Sequence, residues 1–113
     1  MEIVKKVKVS VNGKSEDVEA VIDTGATRTM IDEEVLLRIG APNFGRAVLV
    51  TVGELKEEKP LYAAVVGMDG VDFGLAVLGG RKNLIGHDFL QLAKAVINEE
   101  TGEVKLTKSW IEM

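Results

Sequence analysis

The sequence contains no cysteine and only one histidine, His87. Without cysteine the chain has neither a disulfide framework nor a thiolate metal site, and a lone histidine cannot form a histidine-rich zinc site. The chain also lacks an apolar run long enough to cross a membrane, and its first residues lack the apolar core of a signal peptide. From these absences we expect a cytoplasmic protein with no membrane partner.

A surplus of positive charge is missing as well. With 14 basic and 18 acidic residues, the formal net charge is −4. This charge argues against nucleic acid as the main partner, because phosphate binding needs a basic face. Hydrophobic residues at 46% and charged residues at 28% of 113 residues are ordinary for a soluble protein. We expect one domain over residues 1–113, burying roughly two-thirds of the unfolded surface.

The chain is organised around residues 18–32, which read VEAVIDTGATRTMID. The apolar run at 20–22 predicts a buried strand, and the small residues at 24–26 predict a tight turn after it. Asp23 stands between the two, where a carboxylate loses hydration and needs compensation. Taken alone, this pattern is typical of an aspartate that caps its own turn by accepting from nearby backbone N–H groups.

A second stretch, residues 82–92 (KNLIGHDFLQL), repeats the passage from strand to turn and then begins a helix. Together the two stretches resemble the retropepsin-like aspartic proteases, the single-domain relatives of the retroviral proteases. That family's signature is an apolar pair before D-T-G-A, and a second apolar pair followed by G and a polar-rich helix start. The matching residues are Val21, Ile22, Asp23, Thr24, Gly25, Ala26, Leu84, Ile85, Gly86, His87, Asp88, Phe89 and Leu90.

This resemblance, which extends over about residues 7 to 106, implies an all-β fold. The expected architecture is a closed, barrel-like sheet with one or two short helices, assembled as a homodimer. The resemblance also implies peptide hydrolysis by two aspartates, one ionised to draw a proton from water and one protonated to donate to the carbonyl oxygen. The sequence has a single D-T-G, so each subunit would supply one Asp23. The expected partners are a second copy and a peptide or protein substrate.

The resemblance further implies a role for each residue of the site. Asp23, Thr24 and Gly25 would form the catalytic set, with the Thr24 hydroxyl bonded across the two-fold axis and the Gly25 N–H supporting the carboxylate. Because water is the nucleophile, no metal or organic cofactor is expected. Residues expected to bind substrate are Ala26, Thr27, Met30, Leu49, Val50, Gly53 and Ile85. These are largely apolar, which favours apolar peptide side chains.

Two further segments take their expected roles from the resemblance. The hairpin with its charged tip at residues 53–59 lies where the family has the flap that closes over bound peptide. The chain ends would form the intersubunit sheet and cover Trp110 and Ile111. Many family members carry Arg where this chain has His87, and that Arg ties the second helix to residues just after D-T-G. We interpret His87 as neutral and structural.

The remaining elements follow from local patterns. Strands are predicted at residues 3–11, 16–22, 46–52, 61–66, 71–78, 95–98 and 103–107. Asn12-Gly13 predicts a type I′ hairpin turn. Asp32 is expected to cap a short helix that ends at Gly40, and a second helix is expected over residues 87–94. Residues 53–59 and 79–82 are expected to be a polar turn and a loop.

Three alternatives compete with an active protease. A catalytically silent domain of the same fold could bind peptides or mediate dimerisation. Asp23, Gly25 and Thr27 also satisfy the D-x-G-x-T of sugar kinases and heat-shock ATPases, but those need two large domains. An aspartyl-phosphate enzyme would need further acids for Mg²⁺. A phosphate loop at residues 40–47 is rejected because Arg46 replaces the required Lys.

Overall fold

The computed structural model describes residues 2–50 and 56–107. This part of the chain is mostly β, with nine strands and two short helices. The strands are β1 (Val4–Val11), β2 (Lys14–Ile22), β3 (Met30–Asp32), β4 (Asn43–Val50), β5 (Lys56–Met68), β6 (Val71–Gly80), β7 (Leu84–Ile85), β8 (Val96–Asn98) and β9 (Glu103–Lys105). The helices are α1 (Glu33–Arg38) and α2 (His87–Leu92).

The large sheet closes on itself, which confirms the expected barrel-like fold. Its strand order is β1-β2-β7-β3-β6-β5-β4, and β5 also pairs with β1. The ring therefore runs β1-β2-β7-β3-β6-β5 and returns to β1, leaving β4 attached only to β5. Closure removes exposed strand edges from the body of the domain. In the described residues, β8 and β9 form a separate two-stranded sheet.

The first hairpin, formed by β1 and β2, places Asp23 directly after the end of β2, as expected. Asn12 and Gly13 have φ of 48° and 85°, as the tight β1–β2 turn requires of both central residues. Strand β2 then lies parallel to β7, with Ile22 opposite Ile85. Since the chain leaves β2 at Asp23, the acid stands at the end of two adjacent parallel strands.

Helix α1 also follows its sequence signals. The Asp32 side chain accepts from the N–H of Glu34 at 2.9 Å, and Gly40 adopts φ of 73° just beyond the helix. Val35, Leu36 and Ile39 are buried, as predicted. The core encloses these side chains together with Val7 and Val9 of β1 and alternate residues of β5.

Several predicted boundaries were wrong; β4, for example, begins at Asn43 rather than at residue 46. Strand β5 begins at Lys56, so the charged residues 56–59 belong to a strand rather than a turn. Glu57 and Glu58 are exposed to water there, because among the described residues this part of β5 pairs only with β4. Strand β6 continues through Gly79 and Gly80, which pair with Ile31 and Asp32 of β3. Helix α2 ends at Leu92, two residues early, and Lys94 follows with φ of 48°.

Candidate active site

Asp23 is held by its own turn and by the neighbouring strand. Its backbone N–H donates to the carbonyl of Ile85 at 2.9 Å, continuing the parallel pairing of β2 with β7. Its carboxylate oxygen Oδ1 accepts from the N–H of Gly25 at 3.0 Å. The carbonyl of Asp23 accepts from the N–H of Ala26 at 3.2 Å. The side chain is half-buried, and Thr24 and Gly25 beside it are exposed.

The loop after Asp23 lies directly on the start of α2. The N–H of His87 donates to the carbonyl of Ala26 at 2.7 Å, and the N–H of Asp88 donates to the carbonyl of Thr27 at 3.2 Å. Gly86 permits this contact, because a Cβ there would stand 2.6 Å from the carbonyl carbon and oxygen of Arg28. No side chain fits at that distance, so position 86 must be glycine for the loop after Asp23 to pack against the start of α2.

A polar pair, the fully buried Thr29 and the half-buried Asp88, ties the loop to α2. The hydroxyl of Thr29 donates to Asp88 Oδ1 at 2.8 Å and accepts from the N–H of Gly86 at 3.1 Å. The N–H of Thr29 also donates to Asp88 Oδ1, at 3.0 Å. Thr29 is fully buried. Asp88 therefore makes the connection between α2 and the catalytic loop for which the family resemblance implies an arginine. The His87 side chain, at the arginine's position, is exposed.

The sequence did not identify Thr29 or Asp88 as site residues. The sequence did contain a signal for this contact. Asp88 offers a carboxylate in the first turn of a helix, and Thr29, six residues after Asp23, offers a hydrogen-bond donor, so each recognised motif carries one of the two groups. Asn83 also joins these motifs. Its side-chain oxygen accepts from the N–H of Asp32 at 2.8 Å, and its carbonyl accepts from the N–H of Val21 at 3.1 Å.

The residues expected to bind substrate fall into three groups. Ala26 and Met30 are half-buried and Thr27 is exposed. Ile85 is fully buried in the core, so its side chain lies behind Asp23 rather than on an open surface. Leu49 and Val50 belong to β4, but their side chains, like the whole of Gly53, lie outside the described residues.

The Met30 side chain lies against a glycine of β6. A Cβ on Gly80 would clash with the Met30 sulfur, so the methionine lies across the backbone of β6. Gly79 and Gly80, which were predicted to form a loop, thus belong to strand β6. Gly80 leaves room for the Met30 side chain next to the site.

An open depression of about 530 Å³ borders Thr24. Its lining includes Thr24, His87, Leu90, Lys94 and Ile97. On α2 and β8, Leu92 is 48% exposed and Val96 is 66% exposed. Large apolar side chains with that much exposure mark a surface suited to a protein partner.

The described residues offer neither a metal-binding cluster nor a membrane-spanning helix. Residues 2–50 and 56–107 contain no group of three or more His, Cys, Asp or Glu arranged to hold a metal ion. Within the same ranges, neither helix has the length and apolar character needed to span a membrane.

Comparisons with known proteins agree with this geometry. A protein-family model described as aspartyl protease matches residues 7–89. Among solved structures, the chain is similar to the EIAV protease, a retroviral protease, in complex with the inhibitor HBY-793. The TM-score is 0.69 at 16% sequence identity, over 87% of this chain and 93% of that one. A search of curated protein sequences found no match.

Proposed function

This chain belongs to the aspartyl protease family, and we propose that it is an aspartic endopeptidase that acts as a homodimer. Each subunit supplies one Asp23, and the two carboxylates activate the water that cleaves a peptide bond. The observation that carries this proposal is the position of Asp23. It stands at the end of β2 in a loop that is bonded to α2, with Thr24 and Gly25 exposed beside it.

The chemistry requires two carboxylates in different protonation states. Two such groups about 3 Å apart cannot both ionise readily, so a pair at a two-fold axis holds one proton between them. The ionised Asp23 takes a proton from water as the water oxygen bonds to the carbonyl carbon. The protonated Asp23 of the partner subunit donates to the carbonyl oxygen. The C–N bond then breaks as the leaving nitrogen accepts a proton.

The rigid support of Asp23 suits this role. Gly25 donates to one carboxylate oxygen, and Asp88 and Thr29 fix the following loop from the other side. Catalytic groups must be held within fractions of an ångström of the productive geometry. Asp88 and Thr29 are positioning residues, because they act on Asp23 only through the loop.

The proposed dimer places a second copy against the depression beside Thr24. The β8–β9 hairpin borders this depression and stands apart from the large sheet, so a second copy can cover its exposed apolar residues. The hairpin is fixed to the domain by Val104, which lies in the core, so its exposed Val96 is held in place for a second copy. Trp110 and Ile111, expected at the same interface, lie outside the described residues.

The substrate would be an extended peptide with apolar side chains. Ala26, Thr27 and Met30 flank the catalytic loop, and Leu49, Val50 and Gly53 belong to the hairpin expected to close over the peptide. Ile85 is assigned a supporting position behind Asp23, because its side chain is enclosed in the core. Cytoplasmic localisation remains a prediction from composition.

A second function has one observation in its favour. The bond from Gly25 to the Asp23 carboxylate is also what a structural turn cap would make. A silent domain that binds peptides or mediates dimerisation would keep this bond without hydrolysis.

A cleavage assay separates the two functions. The purified protein would be incubated with a mixed-sequence peptide library between weakly acidic and neutral pH, and products read by mass spectrometry. We expect cleavage between apolar residues, blocked by a statine-type inhibitor whose hydroxyl takes the place of the attacking water. Cleavage that resists this inhibitor and stops on adding a chelator would instead indicate a metalloenzyme. Peptide binding without cleavage would support the silent domain.

A further inference from the structure

The hairpin formed by β4 and residues 56–60 of β5, here called the arm, leaves the closed sheet at one point. Strand β4 pairs with β5 from Asn43 opposite Tyr62 to Val50 opposite Lys56, and among the described residues it pairs with no other strand. From Leu61 onward, β5 is also paired with β6. The arm is thus a two-stranded ribbon, which by itself has little stability in water. Its orientation depends on what fixes its root.

Tyr62 lies at that root and is held on two sides. Its side chain is only 4% exposed, and its hydroxyl donates to Glu33 Oε2 at 2.6 Å. A hydrogen bond this short to a carboxylate is among the stronger ones in proteins. The ring lies against β6, where a Cβ on Gly79 would stand 2.7 Å from Tyr62 Cε1. The aromatic ring and the hydroxyl therefore fix the strand independently.

Glu33 connects this root to the catalytic loop. It is the first residue of α1, directly after Asp32, which caps the helix and ends β3. Strand β3 follows the loop that carries Asp23. A path of covalent chain and one hydrogen bond therefore runs from the loop, through β3 and Glu33, to the root of the arm.

The surroundings of Tyr62 favour its neutral, donating form. The hydrogen bond to Glu33 is the largest cause that raises the Tyr62 pKa, and burial raises it further. A hydrogen bond with Asn43 and the positive charge of Arg46, both on β4, act in the opposite direction. Tyr62 consequently keeps its proton throughout the range in which an aspartic protease works.

We propose that Glu33 and Tyr62 form the anchor of the arm and act as positioning residues for the substrate cleft. The consequence for substrate rests on the proposed protease function, whereas the anchor itself does not. Loss of the bond would free the arm to tilt about its root and weaken the closed position over a peptide.

Hydrogen exchange on the full chain tests the anchor without any substrate. We expect Glu33→Ala to accelerate exchange at amides of residues 44–50 and 57–59 by about tenfold, with β1 and β2 unchanged. Glu33→Gln keeps an acceptor for the tyrosine hydroxyl and should exchange like the wild type. Glu34→Ala is the matched control, because Glu34 is exposed in the same helical turn.

Two results would overturn the anchor. One is unchanged exchange in the arm of Glu33→Ala. The other is equal acceleration in Glu34→Ala, which would trace the effect to α1 rather than to the bond. If Glu33→Ala fails to fold, Tyr62→Phe serves in its place, since it keeps the ring against Gly79 and removes only the hydroxyl.

Peptide kinetics then test the role in substrate binding. We expect Glu33→Ala to raise KM about tenfold with kcat nearly unchanged, and Glu33→Gln to restore the wild-type KM. A kcat loss without a KM change would contradict the positioning role. If the wild type cleaves nothing, the proposed function fails while the exchange experiment still decides the anchor.

Discussion

The carboxylate of Asp88 accepts hydrogen bonds from both the hydroxyl and the N–H of Thr29, at 2.8 and 3.0 Å, although 59 residues separate them. Thr29 follows the Asp23 loop and Asp88 opens α2, so this pair joins the two motifs of the chain. Through it the loop is held by buried polar contacts rather than by apolar packing alone. The first prediction concerns this pair.

Replacing Asp88 with Ala should destabilise the protein by about 2–4 kcal/mol, because Thr29 would keep buried donors without their acceptor. Urea unfolding monitored by circular dichroism measures this loss. Asp88→Asn is the matched control: its amide oxygen still accepts from Thr29, so a smaller loss is expected. Equal stability of the wild type and Asp88→Ala would show that the pair does not hold the loop.

Gly86→Ala should be more disruptive than its small size suggests. The added Cβ would meet the Arg28 backbone at 2.6 Å, and backbone cannot move aside as a flexible side chain can. We expect a cost of about 3 kcal/mol, or failure to fold. Gly74→Ala provides the control, since a Cβ there meets nothing within 4 Å. Comparable unfolding midpoints for the two variants would contradict the close packing of the loop on α2.

Tyr62 offers a direct optical test of its environment, because it is the only tyrosine in the sequence. Glu33 and burial raise its pKa above the ordinary value of 10.0. The neutral form is thus favoured in the folded protein. The contribution of this preference to the free energy of unfolding is constant below pH 10 and is lost as pH rises through the pKa of Tyr62 in the folded protein.

Absorbance of tyrosinate near 295 nm should therefore rise at a higher pH in the folded protein than in urea. Glu33→Gln should lower the folded midpoint, since an amide accepts a weaker hydrogen bond from the neutral tyrosine than a carboxylate does and does not repel the tyrosinate. Identical midpoints for wild type and Glu33→Gln would contradict the contact between the two side chains.

How far the sequence predicted this molecule depends on the range of the interactions involved. The Asn12-Gly13 turn and the Asp32 cap were predicted correctly because both are decided within a few residues. The extent of β5 was not, since charged residues 56–59 become a strand only through pairing with β4. The Thr29–Asp88 and Tyr62–Glu33 contacts join distant segments, so only the folded topology identifies them.

Ile85 illustrates a different limit. The apolar pair before Gly86 marked the second motif correctly. The hydrophobic pattern could not show that the main chain of Ile85, rather than its side chain, contacts Asp23. The structure places the Ile85 side chain in the core and uses its carbonyl to hold the N–H of Asp23. A main-chain role of this kind leaves no side-chain signature.

Val96→Glu should weaken self-association while leaving the fold intact. Val96 is 66% exposed on β8, in the hairpin whose Ile97 lines the depression beside Thr24, and the proposed dimer would bury it. Burying a charge without a partner costs several kcal/mol, so sedimentation should show dissociation at concentrations where the wild type is dimeric. Leu37→Glu, at a 62% exposed position on α1, should leave association unchanged. Equal association of Val96→Glu and wild type would exclude this surface.

If two Asp23 side chains share one catalytic site, Asp23→Asn should have separate effects on peptide cleavage and on dimer dissociation, both measured from weakly acidic to neutral pH. Cleavage should disappear, because an amide neither takes a proton from water nor supplies one as an acid. The Asn dimer should be at least as tight as wild type, with an advantage that grows as pH rises, since Asn removes the repulsion between two facing carboxylates. A variant that still cleaves, or whose dimer weakens with pH as the wild type does, would contradict the shared site.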